Sequence, residues 1–177
     1  MLNISQKNIS NILIHFFLPL LIGLLAIIIE SALTNLFFIS EMPPSFLLMV
    51  IFYWIIYLKI NLSYWFIFFL GLTWDFLVGS IPGLMATSLL LSIGILKIIN
   101  KKFTISSYVS NFFFFTLFLV IINLTKVILF VSLFFVFPLY EKIVLQICFS
   151  LILFPLILIL FNPIKVLFSE EIGGHNE

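Results

Sequence analysis

The chain has 177 residues, of which 64% are hydrophobic and only 8% are charged. So few polar side chains cannot cover the surface of a water-soluble domain, and the composition therefore predicts an integral membrane protein. The net charge of +1 and the scattered lysines form no basic surface for nucleic acid. Because each helical crossing needs about 20 residues, the chain has room for about five or six spans and no sizeable soluble domain.

Residue types that carry chemistry are sparse. The single cysteine, Cys148, excludes an intrachain disulfide, and no His/Cys cluster accompanies it to bind zinc or haem. The sequence has no phosphate-binding glycine loop, no metal-spaced His and Glu pattern, no serine nucleophile elbow and no arginine. We therefore predict a protein that is not an enzyme and uses no cofactor or metal, with a membrane enzyme of unknown type as a distant alternative.

Polar and helix-breaking residues divide the chain into six apolar runs. The first is longer than the apolar core of a signal peptide and lacks its cleavage site, so we expect a retained span. Glycine and proline in the stretch GSIPG, residues 79–83, favour a tight turn between the third and fourth runs. Pro155 is expected to bend the sixth. We predict one all-α transmembrane domain over residues 1–177, a bundle of about six helices at residues 12–39, 45–58, 62–78, 84–99, 108–137 and 139–168.

The lysines predict the direction of the spans. With six spans and a cytoplasmic amino terminus, the carboxyl terminus is also cytoplasmic and Lys142 is the one loop lysine outside, as the positive-inside rule requires. The second run is short for a crossing, and merging it with a neighbour would give five spans and break the pattern. The lysines placed on the cytoplasmic side are Lys7, Lys59, Lys97, Lys101, Lys102 and Lys165.

Three ionisable residues, Glu30, Asp75 and Lys126, lie within predicted spans. A charge at the centre of a membrane helix costs about 2.5–3.5 kcal/mol on insertion scales, so each should face the bundle interior, a wet cavity or the interface. Measured along the helix from its cytoplasmic start, Glu30 lies at about 27 Å, Asp75 at about 20 Å and Lys126 at about 27 Å. Because all three helices run outward, a polar cluster is predicted toward the outer leaflet. Two interpretations stay open: Asp75 pairs with Lys126 inside the bundle, or the charged side chains extend separately to the headgroups.

Two stretches, PSFLLMVIFYWIIY at residues 44–57 and FLGLTWDFLVGSIPGL at residues 69–84, resemble the rod shape-determining protein MreD family. In that family a proline leads into an apolar helix that ends near Tyr-Trp, and a glycine-flanked helix then carries an aspartate followed by Gly and Gly-Leu. Two residues depart from this pattern. Trp74 precedes the aspartate where the family more often has an aliphatic residue, and Lys59 stands near a position where the family often has a proline. The matching residues are Pro44, Tyr53, Trp54, Gly71, Asp75, Gly79, Gly83 and Leu84.

The resemblance implies a non-enzymatic scaffold subunit of the bacterial elongation machinery in the cytoplasmic membrane. Its implied partners are membrane lipid, MreC and, through MreC, the MreB filament, the RodA glycan polymerase and the elongation transpeptidase. In this role the protein would couple the cytoskeleton to peptidoglycan synthesis and maintain cell shape.

The family is also similar in its six-helix layout to the substrate-binding subunits of energy-coupling-factor vitamin transporters. A vitamin-binding transporter subunit is therefore the alternative function. Such a subunit needs a pocket lined by several convergent polar groups, whereas a scaffold needs a packed core and an apolar lateral surface. The few polar residues within the spans favour the scaffold.

Overall fold

A computed structural model describes residues 2–34, 43–58, 62–78, 81–100, 108–138 and 140–173. These residues form an all-helical bundle, which confirms the predicted fold class of a helical membrane protein. Its helices are α1 (Leu2–Thr34), α2 (Phe46–Ile56), α3 (Tyr64–Val78), α4 (Leu84–Asn100), α5 (Tyr108–Phe134) and α6 (Tyr140–Gly173).

Helix length separates these elements into two groups. Three are long and apolar enough to cross a membrane, over Phe17–Thr34, Ser110–Phe134 and Tyr140–Pro163. The others, α2, α3 and α4, have 11, 15 and 17 residues, and at 1.5 Å per residue α2 is only about 16 Å long, half of a hydrocarbon core. The six predicted spans thus correspond to six helices, and six complete crossings stay a prediction.

The short helix α2 lies at the centre of the bundle, where it contacts α1, α5 and α6. Every residue from Leu47 to Ile56 is buried. A helix that is apolar on all sides lies either in a protein core or in lipid, and the uninterrupted run LLMVIFYWII has this property. The sequence predicted a helix here, whereas its central position follows from the packing of the other helices around it.

An aromatic cluster joins α2 to α5 and α6. The Phe52 ring has its centroid 5.2 Å from that of Phe115 and 5.8 Å from that of Phe154, both edge-on. Phe115 and Phe154 stack with centroids 4.0 Å apart. The Phe run at residues 112–115, expected to be lipid-facing or packing surface, divides between both roles: Phe112 and Phe113 are exposed, and the following two are buried.

Helices α3 and α4 form an antiparallel hairpin with a very close crossing. A Cβ atom built on Gly71 would lie 2.5 Å from the Ala86 Cα atom, far inside contact distance. Any side chain at residue 71 would therefore separate the two backbones, as is common where small residues line membrane helix interfaces. A Cβ atom built on Gly23 of α1 would likewise lie 2.9 Å from a Cδ atom of the Leu70 side chain of α3.

Candidate functional site

Asp75 caps the amino terminus of the next helix. Its side chain is fully buried near the end of α3, and its carboxylate accepts N–H groups from Gly83 at 2.9 Å, Met85 at 3.0 Å and Ala86 at 3.4 Å. The first N–H groups of a helix have no partner within the helix and carry a partial positive charge. Because this site is buried within the bundle, the preceding helix provides a carboxylate as that partner.

The turn before α4 is shaped to present these donors. Gly83 has a φ angle of 91°, a left-handed conformation that glycine adopts without strain. The Leu84 N–H donates to the Ile81 carbonyl at 3.0 Å, and the Thr87 hydroxyl donates to the Gly83 carbonyl at 2.6 Å. The Thr87 backbone N–H donates to the same Gly83 carbonyl at 2.9 Å. With the bonds to Asp75, every backbone N–H from Gly83 to Thr87 therefore has a partner.

Glu30 has the same relation to α2 that Asp75 has to α4. It is 1% exposed near the end of α1, and its Oε2 atom accepts the Leu47 N–H, in the first turn of α2, at 3.3 Å. The Trp74 indole N–H interacts favourably with this carboxylate, although its geometry falls short of a hydrogen bond. Each of the first two helical hairpins therefore contains a buried carboxylate aimed at the start of its second helix.

The non-helical residues before α2 receive further support from α6. Gln146 donates from its side-chain amide to the Pro43 carbonyl at 3.2 Å, and the Ser45 N–H donates to the Ser150 hydroxyl at 3.0 Å. Irregular backbone is tolerated at membrane depth only where protein groups satisfy it. Sequence reasoning missed Gln146 and Ser150, whose spacing of four residues in an apolar helix was the available signal.

Lys126 of α5 lies beside Trp74, the residue that precedes Asp75. Its ammonium lies 4.8 Å from the centroid of the Trp74 ring, a cation–π geometry, and it interacts electrostatically with Glu30 and Asp75. The side chain is half-buried. The cluster of Glu30, Asp75 and Lys126 and a stabilising Asp75–Lys126 pair both stay predictions.

The remaining motif residues also lie in or beside this framework. Pro44 is buried where the chain approaches α2, and Trp54 is 1% exposed within α2. The Tyr53 hydroxyl donates to the Phe161 carbonyl of α6 at 2.9 Å, and its ring stacks on Tyr57. Gly79 lies outside the described residues.

Comparison with known proteins gives a family for this arrangement. A family model for rod shape-determining protein MreD matches residues 10–164, which include both hairpins and the Lys126 helix. No curated protein and no solved structure matches the chain.

Proposed function

The chain belongs to the MreD family of rod shape-determining proteins, and on this premise we propose that it is a membrane scaffold that couples the cytoskeleton and MreC to peptidoglycan synthesis. The family's role is the determination of rod shape, and its members are generally non-catalytic membrane components. The proposed partners are MreC and, through it, MreB, RodA and the elongation transpeptidase.

The contacts that the interior polar groups make are the main support for this proposal. Among the described residues, Glu30 and Asp75 face the amino termini of α2 and α4, while aromatic rings fill the space between α2, α5 and α6. Polar groups committed to holding helices in position build a rigid core. A transporter subunit would instead direct them into a ligand pocket, so this arrangement supports a scaffold over the alternative.

The outer surfaces of α1, α5 and α6 provide apolar area for a partner's transmembrane helix. Ile152 and Ile159 of α6 are 71% and 76% exposed, and Ile28 of α1 is 55% exposed. In lipid, helices associate through van der Waals packing and interhelical hydrogen bonds. A scaffold of this kind is expected to hold MreC by one of these faces.

Depletion in the native rod-shaped or curved host tests the proposed role. We expect cells to round and widen while the uptake of individual vitamins stays normal. A selective vitamin requirement in cells of normal shape would support the transporter function instead. Re-expression of the wild-type chain is the control, since it must restore shape for either result to be assigned to this protein.

Photocrosslinking in native membranes tests the partner. A photoreactive residue is placed at Ile152 or Ile159 of α6, at Ile28 of α1, and at Phe76 of α3, which is 67% exposed and samples a different face. We expect a bitopic MreC-like protein to be captured from one face and not from the others. Capture of a transporter's ATPase module, or of lipid alone from every position, would contradict the proposed scaffold.

Reporter fusions test the proposed topology, in which the protein crosses the cytoplasmic membrane with both termini inside. Reporters after Lys101 and at the carboxyl terminus should read cytoplasmic, and one near Glu41 should read external. An external signal at Lys101 would contradict the six-span arrangement.

A further inference from the structure

An apolar groove lies on the outer surface of the α3–α4 hairpin, at the end opposite Asp75. Tyr64, Trp65 and Phe68 of α3 and Leu90 of α4 line it, and its volume is about 220 Å³. Trp65 is 82% exposed and Tyr64 is 56% exposed. Two large aromatic side chains therefore border a groove that opens toward the surroundings of the bundle.

A lysine marks one end of this groove. The Lys97 ammonium of α4 lies 4.8 Å from the centroid of the Tyr64 ring. Tryptophan, tyrosine and lysine together are typical of the level where hydrocarbon meets lipid headgroups, because each has an apolar body and a polar end. We therefore expect the Tyr64 end of the groove to lie at headgroup level.

The groove extends from this level into the hydrocarbon. Leu90 lies seven residues before Lys97 along α4, which is about 10 Å of helix. One leaflet contributes about 15 Å to the hydrocarbon core. The dimensions and polarity thus correspond to the upper part of a lipid acyl chain, with a positive charge where its headgroup would lie.

We propose that this groove binds one anionic glycerophospholipid, with an acyl chain along Trp65, Phe68 and Leu90 and the headgroup phosphate beside Lys97. The apolar lining would accept the chain of any lipid, and the lysine adds the preference for negative charge. Under the proposed topology this lipid belongs to the cytoplasmic leaflet. The binding does not depend on the role in rod shape, and it is tested on the purified full chain.

Quenching of Trp65 fluorescence measures the binding directly. The chain has three tryptophans, and Trp54 and Trp74 are only 1% and 8% exposed. The part of the quenching that disappears in the Trp65→Phe variant therefore comes from lipid in the groove. The protein is placed in nanodiscs of unlabelled phosphatidylcholine that contain increasing fractions of phosphatidylglycerol brominated on its acyl chains. In parallel discs, brominated phosphatidylcholine replaces the phosphatidylglycerol. We expect half-maximal quenching at a fraction of brominated phosphatidylglycerol about fivefold lower than that of brominated phosphatidylcholine. One lysine near the headgroups contributes about 1 kcal/mol, which corresponds to this ratio.

Charge variants separate headgroup recognition from general lipid contact. Lys97→Gln should remove the fivefold preference while quenching by both lipids persists, and Lys97→Arg should retain it. Lys142→Gln of α6 is the matched control and should retain the wild-type preference. Equal quenching by both lipids in the wild-type protein would overturn the proposal, and so would an unchanged preference in Lys97→Gln.

Discussion

Replacing Asp75 by alanine removes the group that caps α4. The carboxylate is fully buried and accepts N–H groups from three residues of the α4 amino terminus. One buried donor without a partner costs about 1–3 kcal/mol, and loss of a helix cap alone costs about 1 kcal/mol. Because the three donors share one acceptor, their costs do not add fully. We expect the free energy of unfolding to fall by about 3–5 kcal/mol, which is more than one unpaired donor costs and less than three independent donors would cost.

Asparagine at residue 75 should have an intermediate effect. The Asp75→Asn amide keeps one oxygen acceptor but loses the negative charge, and charge-assisted hydrogen bonds are about twice as strong as neutral ones. The expected loss is therefore about half that of Asp75→Ala. Both variants are measured by equilibrium unfolding in mixed micelles with increasing dodecyl sulfate, followed by far-ultraviolet circular dichroism.

Glu141→Ala is the matched control for loss of an acidic residue. Glu141 lies exposed in the first turn of α6, so its removal should cost about 0.5 kcal/mol or less. Hydrogen exchange gives a local readout, because Asp75→Ala should accelerate exchange of the Met85 and Ala86 amides in particular. If Asp75→Ala unfolds no more easily than Glu141→Ala and leaves these amides protected, the capping explanation is wrong.

Three further outcomes are expected in the same unfolding assay. Gly71→Ala should lower the free energy of unfolding by about 1–3 kcal/mol, because the added methyl group meets the α4 backbone. The control Gly94→Ala has open space and should be neutral or stabilising, and equal effects of the two changes would contradict the close crossing. The double variant Lys126→Met with Asp75→Asn should lose less unfolding free energy than the two single variants lose together, by at least about 0.5 kcal/mol, because both charges are removed at once. Additive losses would exclude the pair. Ser150→Ala should lower the free energy of unfolding by about 1–3 kcal/mol and accelerate hydrogen exchange of the Ser45 N–H, which precedes α2. Continued protection of this N–H would show that α6 does not hold the α2 amino terminus.

Local properties of the sequence were sufficient to predict the class of the protein and the existence of its helices. An almost uncharged apolar chain has to satisfy its backbone internally in lipid, and helices do so within one segment. A turn at residues 79–83 was predicted in the same way, since glycine and proline act on their own backbone. Residues 79 and 80 lie outside the described residues, and Gly83 has a positive φ angle. The MreD-like motif indicated the family because it lies within two short stretches, residues 44–57 and 69–84, that can be read directly from the sequence.

The roles of the polar residues depended on tertiary structure. The sequence predicted a cluster of Glu30, Asp75 and Lys126 and left open an ion pair or separate extension to the headgroups. It did not predict that the Asp75 carboxylate accepts backbone N–H groups of α4. Backbone donors are invisible in a sequence pattern because every residue except proline has one. Which donors lack a partner depends on where a helix begins, and which side chain reaches them depends on how the helices cross.

Distance along the chain explains what sequence reasoning missed. Ser45 and Ser150 form a hydrogen bond across 105 residues, and no local periodicity relates two such positions. The central place of α2 has the same origin, because an all-apolar helix is equally compatible with lipid and with a protein core. The sequence by itself therefore determined that the chain forms membrane helices and which family it belongs to. Only the packing of α1, α5 and α6 around α2 and the close crossing of α3 and α4 decided which apolar surfaces are buried and which carboxylate caps which helix.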